Sequence, residues 1–483
     1  MKQFHLQKKL LWLLLPAALL LAAGLYLLLR PKAAPTGNYA ERVDSVAQYE
    51  SHWMSQFENK DGLISHLGHS AGYAVFCADG SKGMVVSDTG LYYYDGTEAG
   101  VQLNDDAGFT VLSYDGGTVL YTVATDKTMH PRLLCYRSGK TTEIDYLDQL
   151  YAITLSPTGK TACYTAIDGS TVYGHLLKNG RDERFDLNSD YLTAITDDGS
   201  LRYYYGLEPE GFYVLTPGGV VTLSPDPESY RRQIYFNCDN TQVLFYDGGD
   251  TWLSTDGAEP VRLCEGEAKP LLPYNTQTFT LRDDGLVKAL GFQDFHGTFL
   301  CLEQPGGDAI LRIEPDDTVK AVCNGVQSCG LCADGHTLAY LTDRTLCVQD
   351  ADSGAAQTVL DDAEAFQMSR DGSKLYALLH GELYLCAGGE VRLLDSEVPD
   401  QGWLDDPFYS VTGGDTLYYA KPDGLYFEQD GAPKLAVGYQ GVPTHVWADA
   451  FSVSFFTEDD TTERFYRLLA DGKISILDSH RKD

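Results

Sequence analysis

Along most of the chain, short apolar runs alternate with polar residues, and each run stops at a turn signal. The stretch "FTVLSYDGGTVLYTVATD" shows the pattern. An apolar run ends in a turn, often with Asp-Gly, and a second run follows, frequently with an aromatic residue five positions after the turn glycine. A third run carries Leu-Tyr or a relative, and a second turn leads to a fourth run. "YAITLSPTGKTACYTAIDG" and "FQMSRDGSKLYALLHGELYLC" repeat it. Alternation at period two predicts strands, and the dipeptides between them supply the positive backbone angles of tight hairpins.

The first turn recurs at Gly80, Gly116, Gly159, Gly199, Asn240, Gly285, Gly335, Gly372, Gly414 and Asp460, in steps of 36 to 50 residues. The aromatic five positions on is Tyr121, Tyr164, Tyr204, Phe245, Tyr340, Tyr419 and Phe465; Val85, Leu290 and Ala377 depart from it. The second turn falls at Asp95, Ser138, Asn179, Gly218, Asp256, Gly306, Ser353, Gly388, Asp430 and Asp471. Four short strands in each ~40–45 residues are the pattern of a β-propeller blade. One blade cannot bury both of its faces, so blades stack around an axis. The predicted fold is all-β: ten units over 70–479, read as one continuous ring. The longest step, Gly285 to Gly335, is where a break between two rings would fall, and "DGLISHL", Asp61–Leu67, is a candidate strand for closing the ring on the last unit.

"SPTGKTACYTAIDG" and "ADGHTLAYLTDR" resemble the WD40-like repeat of TolB-type propellers, in which Ser-Pro-Asp-Gly, two variable residues and Leu-Ala-Tyr precede a polar turn. The Trp-Asp ending of true WD40 units is absent. The resemblance implies a propeller and protein–protein interaction within a cell-envelope assembly. The chain departs from it by carrying an apolar N-terminal run and no recognisable second domain.

That run, "LLWLLLPAALLLAAGLYLLL", Leu10–Leu29, has twenty residues and no charge. At ~1.5 Å per residue such a helix spans ~30 Å, a bilayer core. Lys2, Lys8 and Lys9 precede it, so residues 1–9 are placed in the cytoplasm. A cleaved signal would have a shorter apolar region ending at a small-residue site; here the run continues past "AAG", and Leu25 stands where a lipoprotein would have cysteine. Residues 10–29 are read as a single-pass signal anchor with the rest of the chain outside. Residues 30–69 form a juxtamembrane linker, with Val43, Val46, Trp53 and Phe57 at helical spacing in an amphipathic helix over about 39–58.

Composition agrees with β structure: 32 tyrosines suit half-buried strands and 48 glycines suit turns. A net charge of −33 repels nucleic acid and anionic lipid and favours solubility. "CGLCADGH", Cys329–His336, invites a metal or redox reading. The repeat explains half of it, because Cys77 and Cys332 occupy a slot that Ser156 and Ser369 fill elsewhere, and Cys135, Cys301, Cys347 and Cys386 fall on third strands as small apolar residues. Zinc would need more ligands than Cys329, Cys332 and His336 supply; a Cys323–Cys329 or Cys329–Cys332 disulfide is the better rival. His66 and His69 form a lone pair, and Asp247–Asp250 and Asp197-Asp198-Gly199 carry oxygens of calcium type without the spacing of a calcium loop. There is no GxSxG, P-loop or HExxH. No residue is therefore assigned to catalysis, and no cofactor or metal set is assigned.

The leading expectation is a membrane-anchored, extracytoplasmic module that holds a protein or glycan on one propeller face, since a ring presents loops from many blades together. An extracytoplasmic hydrolase or lyase with its site at a channel mouth is the second reading, and a surface sensor is the third.

Overall fold

The computed structural model describes residues between 73 and 481, apart from short segments between strands. The apolar run 10–29, the 39–58 helix and the closing segment 61–67 lie outside the described residues. Among the described residues every regular element is a strand, and no helix is long and apolar enough to cross a membrane.

The described strands form nine sheets, eight of them antiparallel and one mixed, and seven are four-stranded antiparallel meanders in simple sequence order. The six-stranded sheet is one such meander, Ile234–Glu265, with Phe279–Thr280 and Val287–Ala289 added beside its first strand. The seven-stranded sheet is two meanders that share the strand Val319–Leu331. Ten four-stranded units of propeller type result.

Consecutive units meet face to face. First strands touch first strands: Thr110–Leu112 against Leu150–Leu155, and that strand against Tyr191–Ile195. Fourth strands form the outer edges, where Val101, Val220, Val261, Leu393 and Leu435 are exposed. The apolar clusters lie between units rather than within them. Tyr203, Phe212 and Val214 of the fourth unit pack on Phe236, Val243 and Phe245 of the fifth. Tyr376 and Leu383 of the eighth pack on Leu417 and Tyr419 of the ninth. Each fully buried side chain of this size contributes about 1.5–3 kcal/mol, which an isolated unit would forfeit. Of the aromatics five positions after the first turn, Tyr121, Tyr164, Tyr204, Phe245, Tyr340 and Tyr419 are buried, none more than 7% exposed.

The first turn is one six-residue device, and it settles the Cys77 and Cys332 question. The opening residue donates its backbone N–H to the carbonyl five residues on, and its side chain accepts that residue's N–H. Ser156 Oγ accepts from Thr161 at 3.0 Å, Asn237 Oδ1 from Gln242 at 2.9 Å and Ser369 Oγ from Lys374 at 2.9 Å. Cys77 Sγ accepts from Lys82 at 3.3 Å and Cys332 Sγ from Thr337 at 2.9 Å. Both cysteines stand in for a hydroxyl. Second turns pair positive angles as type I′ hairpins require: Ser138 and Gly139 at φ 51° and 77°, Asn179 and Gly180 at 53° and 71°.

The sixth unit departs from expectation. Val287–Ala289, after Gly285, pairs in parallel with the first strand of the fifth unit, Ile234–Phe236. Gly285 therefore belongs to an insertion and not to a blade turn. The sixth unit begins at Ala268–Pro270 and resumes at Phe299–Leu302, so its first turn is at Gly297, φ 83°. Gly306 is then the hairpin between second and third strands, and Cys301 sits on a second strand rather than a third. The step where a break was expected is instead the most continuous: Val319–Leu331 serves as fourth strand of the sixth unit and first strand of the seventh. Gly325, φ 70°, lies in that strand next to the register shift at Val326, and a Cβ on Gly307 would meet its backbone carbon at 2.7 Å.

Candidate binding cleft

Between the second and third units lies an open cleft of about 730 Å³. Its floor is the apolar cluster of Leu120, Leu155, Ala162 and Leu177, with Cys135 and Ile144. Small residues at Gly159, Thr161 and Ala162 leave the facing sheets unfilled towards their outer strands. The volume falls within the range of ligand sites.

The mouth is basic. Arg137, Lys140, Lys160 and Lys178 line it against Glu143, Asp182 and Asp197, four to three in a chain with 36 basic and 69 acidic residues. The acids are engaged. Asp197 accepts from Thr158 N at 3.0 Å and Oγ1 at 2.7 Å, with Lys160 at 3.5 Å. Burial on its own would raise the Asp197 carboxyl; the Thr158 hydrogen bonds and Lys160 outweigh it and hold it below its usual range. Asp182 Oδ2 accepts from Tyr164 at 3.0 Å and lies 2.9 Å from His175 Nδ1. Glu143 pairs with Arg132 at 3.2 Å. Of the bases, Lys178 donates to the Asp198 carbonyl and Arg137 gives its Nε to Thr118 Oγ1 at 2.9 Å. Among the described residues, Lys140 and the terminal nitrogens of Arg137 make no ion pair. The free charge at the mouth is therefore positive.

Asp182, His175 and Tyr164 resemble the base-and-orienter half of a nucleophilic site. Among the described residues no hydroxyl or thiol is hydrogen-bonded to the second nitrogen of His175, and its ring is stacked on Tyr164 at 4.6 Å.

Of the residues singled out from the sequence for their chemistry, Asp197 and Cys135 line the cleft, and the others lie elsewhere. Asp247 and Asp250 flank the Gly248-Gly249 hairpin of the fifth unit, and Asp250 pairs with Arg262 at 2.6 Å. Asp198 is the clasp of its own turn, and hydrogen bonds from Ser200 bring its carboxyl down to about 2. His66 and His69 lie outside the described residues. All eleven cysteines are free thiols, and among the described residues no group of three or more His, Cys, Asp or Glu side chains gathers as a metal set. The sequence carried a signal for the cleft that composition hid: "RSGK", "PTGK" and "KNGR" set basic residues directly beside turn glycines in the second and third units, where they recur at three turns of two consecutive units.

No family model matches the chain, and no curated protein does. Several solved structures are similar at low identity. The tricorn protease is 11% identical, covering 85% of this chain and 49% of that one, with a TM-score of 0.30. Dipeptidyl peptidase 4 of Porphyromonas gingivalis is 11% identical, covering 85% of this chain and 59% of that one, at 0.33. TolB of Acinetobacter baumannii is 11% identical, covering 67% and 62%, at 0.19. The chain thus spans about half to three-fifths of the first two. The fold rests on the repeated meander itself.

Proposed function

We propose that this protein is a membrane-anchored, extracytoplasmic β-propeller whose ten units close into one ring, and that it works by holding a partner rather than by catalysis. The cleft between the second and third units is its docking site, and an acidic segment of a protein is its ligand. One observation carries this reading: a basic mouth over an apolar floor in a chain of net charge −33. Unpaired positive charge in a strongly negative surface selects and steers an acidic group, while the floor accepts apolar side chains beside it. Among the described residues none that line the cleft is aromatic, so none of them offers a ring face to a sugar. The anchor and orientation rest on the apolar run Leu10–Leu29 and the lysines before it.

The test is crosslinking of the full chain in its native membrane, with attached peptides mapped by mass spectrometry. A protein partner attached near Arg137 and Lys140 is the expected outcome. Its recovery falls about tenfold in an Arg137→Glu, Lys140→Glu variant, the equivalent of about 1.4 kcal/mol. A partner that crosslinks elsewhere and ignores the charge reversal overturns the assignment of the cleft. Attachment of glycan in place of protein overturns the choice of ligand.

A further inference from the structure

The third unit breaks the rule of its own first turn. Wherever else the six-residue turn occurs, its third residue is an aspartate: Asp79, Asp115, Asp198, Asp239, Asp334 and Asp371. In the second, fourth and eighth units the carboxylate clasps the turn. Asp115 Oδ1 accepts from Ser113 Oγ at 2.7 Å and from Gly117 N at 2.9 Å. Asp198 and Asp371 repeat both distances with Thr196 and Ser200, and with Ser369 and Ser373. In the third unit this position is Thr158, and the residue two further on is Lys160. Thr158 turns its N–H and hydroxyl to Asp197 of the following unit instead. The formal charge of the turn passes from −1 in Ser113–Thr118 to +1 in Ser156–Thr161.

This altered turn faces a second concentration of positive charge. Arg137 and Lys140 are register partners across the Ser138-Gly139 hairpin, so two cations stand opposite each other on one sheet face. Like charges so placed destabilise a hairpin. The face is turned to the third unit, because Arg137 lies two residues from Cys135, which packs with Leu120, Leu155 and Ala162. Arg137 Nε is fixed 2.9 Å from buried Thr118 Oγ1, and a Cβ on Gly159 would lie 2.4 Å from that same oxygen. The Gly159-Lys160 turn therefore sits directly against Arg137. The third unit has a like pair, Lys178 and Arg181, but there the facing turn keeps its aspartate, Asp198, and Lys178 donates to the Asp198 carbonyl. Only towards Arg137 and Lys140 is the aspartate missing.

Resting on the docking role given to the cleft, we propose that Arg137, Lys140 and Lys160 form its oxyanion subsite, and that the acidic group taken there is the phosphoryl dianion of a phosphorylated side chain. A carboxylate carries one charge and cancels one of two opposed cations. A phosphoryl group carries about −1.5 to −2 at pH 7 and has three acceptor oxygens. It suits a guanidinium whose Nε is already fixed and whose terminal nitrogens are left to form parallel bonds, with two ammonium groups beside it. An aspartate in place of Thr158 would repel that dianion.

The experiment titrates the full chain with inorganic phosphate and N-acetyl-phosphoserine amide, read by phosphorus NMR line width, with N-acetyl-glutamic acid amide as competitor. Both phosphate probes should bind, and the glutamate probe should compete at least about tenfold more weakly. Thr158→Asp restores the clasp and its charge, and should weaken phosphoserine binding by about tenfold, as should Lys140→Gln. Arg181→Gln, on the face towards the fourth unit, should leave it unchanged. Phosphate binding that ignores both Thr158→Asp and Lys140→Gln marks an adventitious ion only and overturns the subsite, as does no binding at all. Equal competition by the glutamate probe overturns the phosphoryl assignment and leaves the docking of an acidic segment standing. In the native membrane, phosphatase treatment before crosslinking should remove the partner from Arg137 and Lys140. A partner that stays there after phosphatase overturns this assignment alone; phosphoserine binding with no protein attached at the cleft overturns the docking reading and leaves the oxyanion subsite.

Discussion

His296 is held between two carboxylates, with Nδ1 2.7 Å from Asp294 Oδ1 and Nε2 2.8 Å from Asp317 Oδ1. Gln242 of the fifth unit reaches across to Asp294 at 2.8 Å and accepts from the Phe295 N–H, so the cluster ties two units together. Burial would lower the imidazole's pKa; the hydrogen bonds to Asp317 and Asp294 and their charges outweigh it and raise it. Asp294 is likewise held below its usual value, hydrogen bonds from His296 and Gln242 overcoming burial. The sign follows from linkage. A histidine raised on folding stabilises the native state fully below its unfolded value, about 6.5, and that contribution fades as pH rises through the folded value. Asp294 acts in the opposite sense and loses its contribution only in strong acid. The urea midpoint of the wild type should therefore exceed that of His296→Gln most at about pH 5.5, and the gap should shrink towards about pH 9. A gap that is flat across this range, or that widens with pH, would show that the imidazolium is not what the carboxylates hold.

At the scale of the turn, two kinds of glycine can be told apart. Gly139 has φ 77° and open space around its missing Cβ; Gly159 has φ 63°, and a Cβ there would lie 2.4 Å from Thr118 Oγ1 of the preceding unit. The same stacking recurs at Gly116 over Cys77 and at Gly372 over Cys332 and Thr337. Gly139→Ala should cost about 1–2 kcal/mol for the left-handed backbone alone. Gly159→Ala should cost about 1–3 kcal/mol more, because the neighbouring unit must also move. Equal losses of unfolding free energy in urea would show that the contact between turns is slack. This difference also explains what could be read before the structure. Glycine's conformational role leaves a dipeptide signature, so most of the strand patterns and their turns were visible as "DG", "SG", "NG" or "GG" repeats, with Cys77, Ser156, Cys332 and Ser369 opening four of the turns. The sixth unit misled because the insertion carries "DDGL", while the true turn reads "DFHGT", with no Asp-Gly. The cleft was hidden for another reason. It is made by side chains from two units that meet only when the sheets stack, and no single repeat contains it.

At the scale of the whole molecule, the contacts run from the first unit to the tenth, and each interior unit is held by its two neighbours. In a stack with free ends, stability is a sum of unit and neighbour terms, and terminal units unfold before internal ones. In a closed ring every unit has two neighbours, so none can leave without opening two interfaces. Trp252 in the fifth unit and Trp447 in the tenth offer a way to distinguish these cases. With Trp12, Trp53 and Trp403 replaced by phenylalanine, one variant keeps only Trp252 and another only Trp447. For a ring, fluorescence of the two variants should change at the same urea midpoint and coincide with loss of the far-ultraviolet β signal, the mark of a two-state transition. An earlier change at Trp447 alone would mean that the tenth unit frays as the end of an open array, and the proposed ring would have to be given up while the unit-to-unit packing stood. The cleft lies between the second and third units, away from that end, so partner binding should persist through the first transition of an open array and vanish with the single transition of a ring.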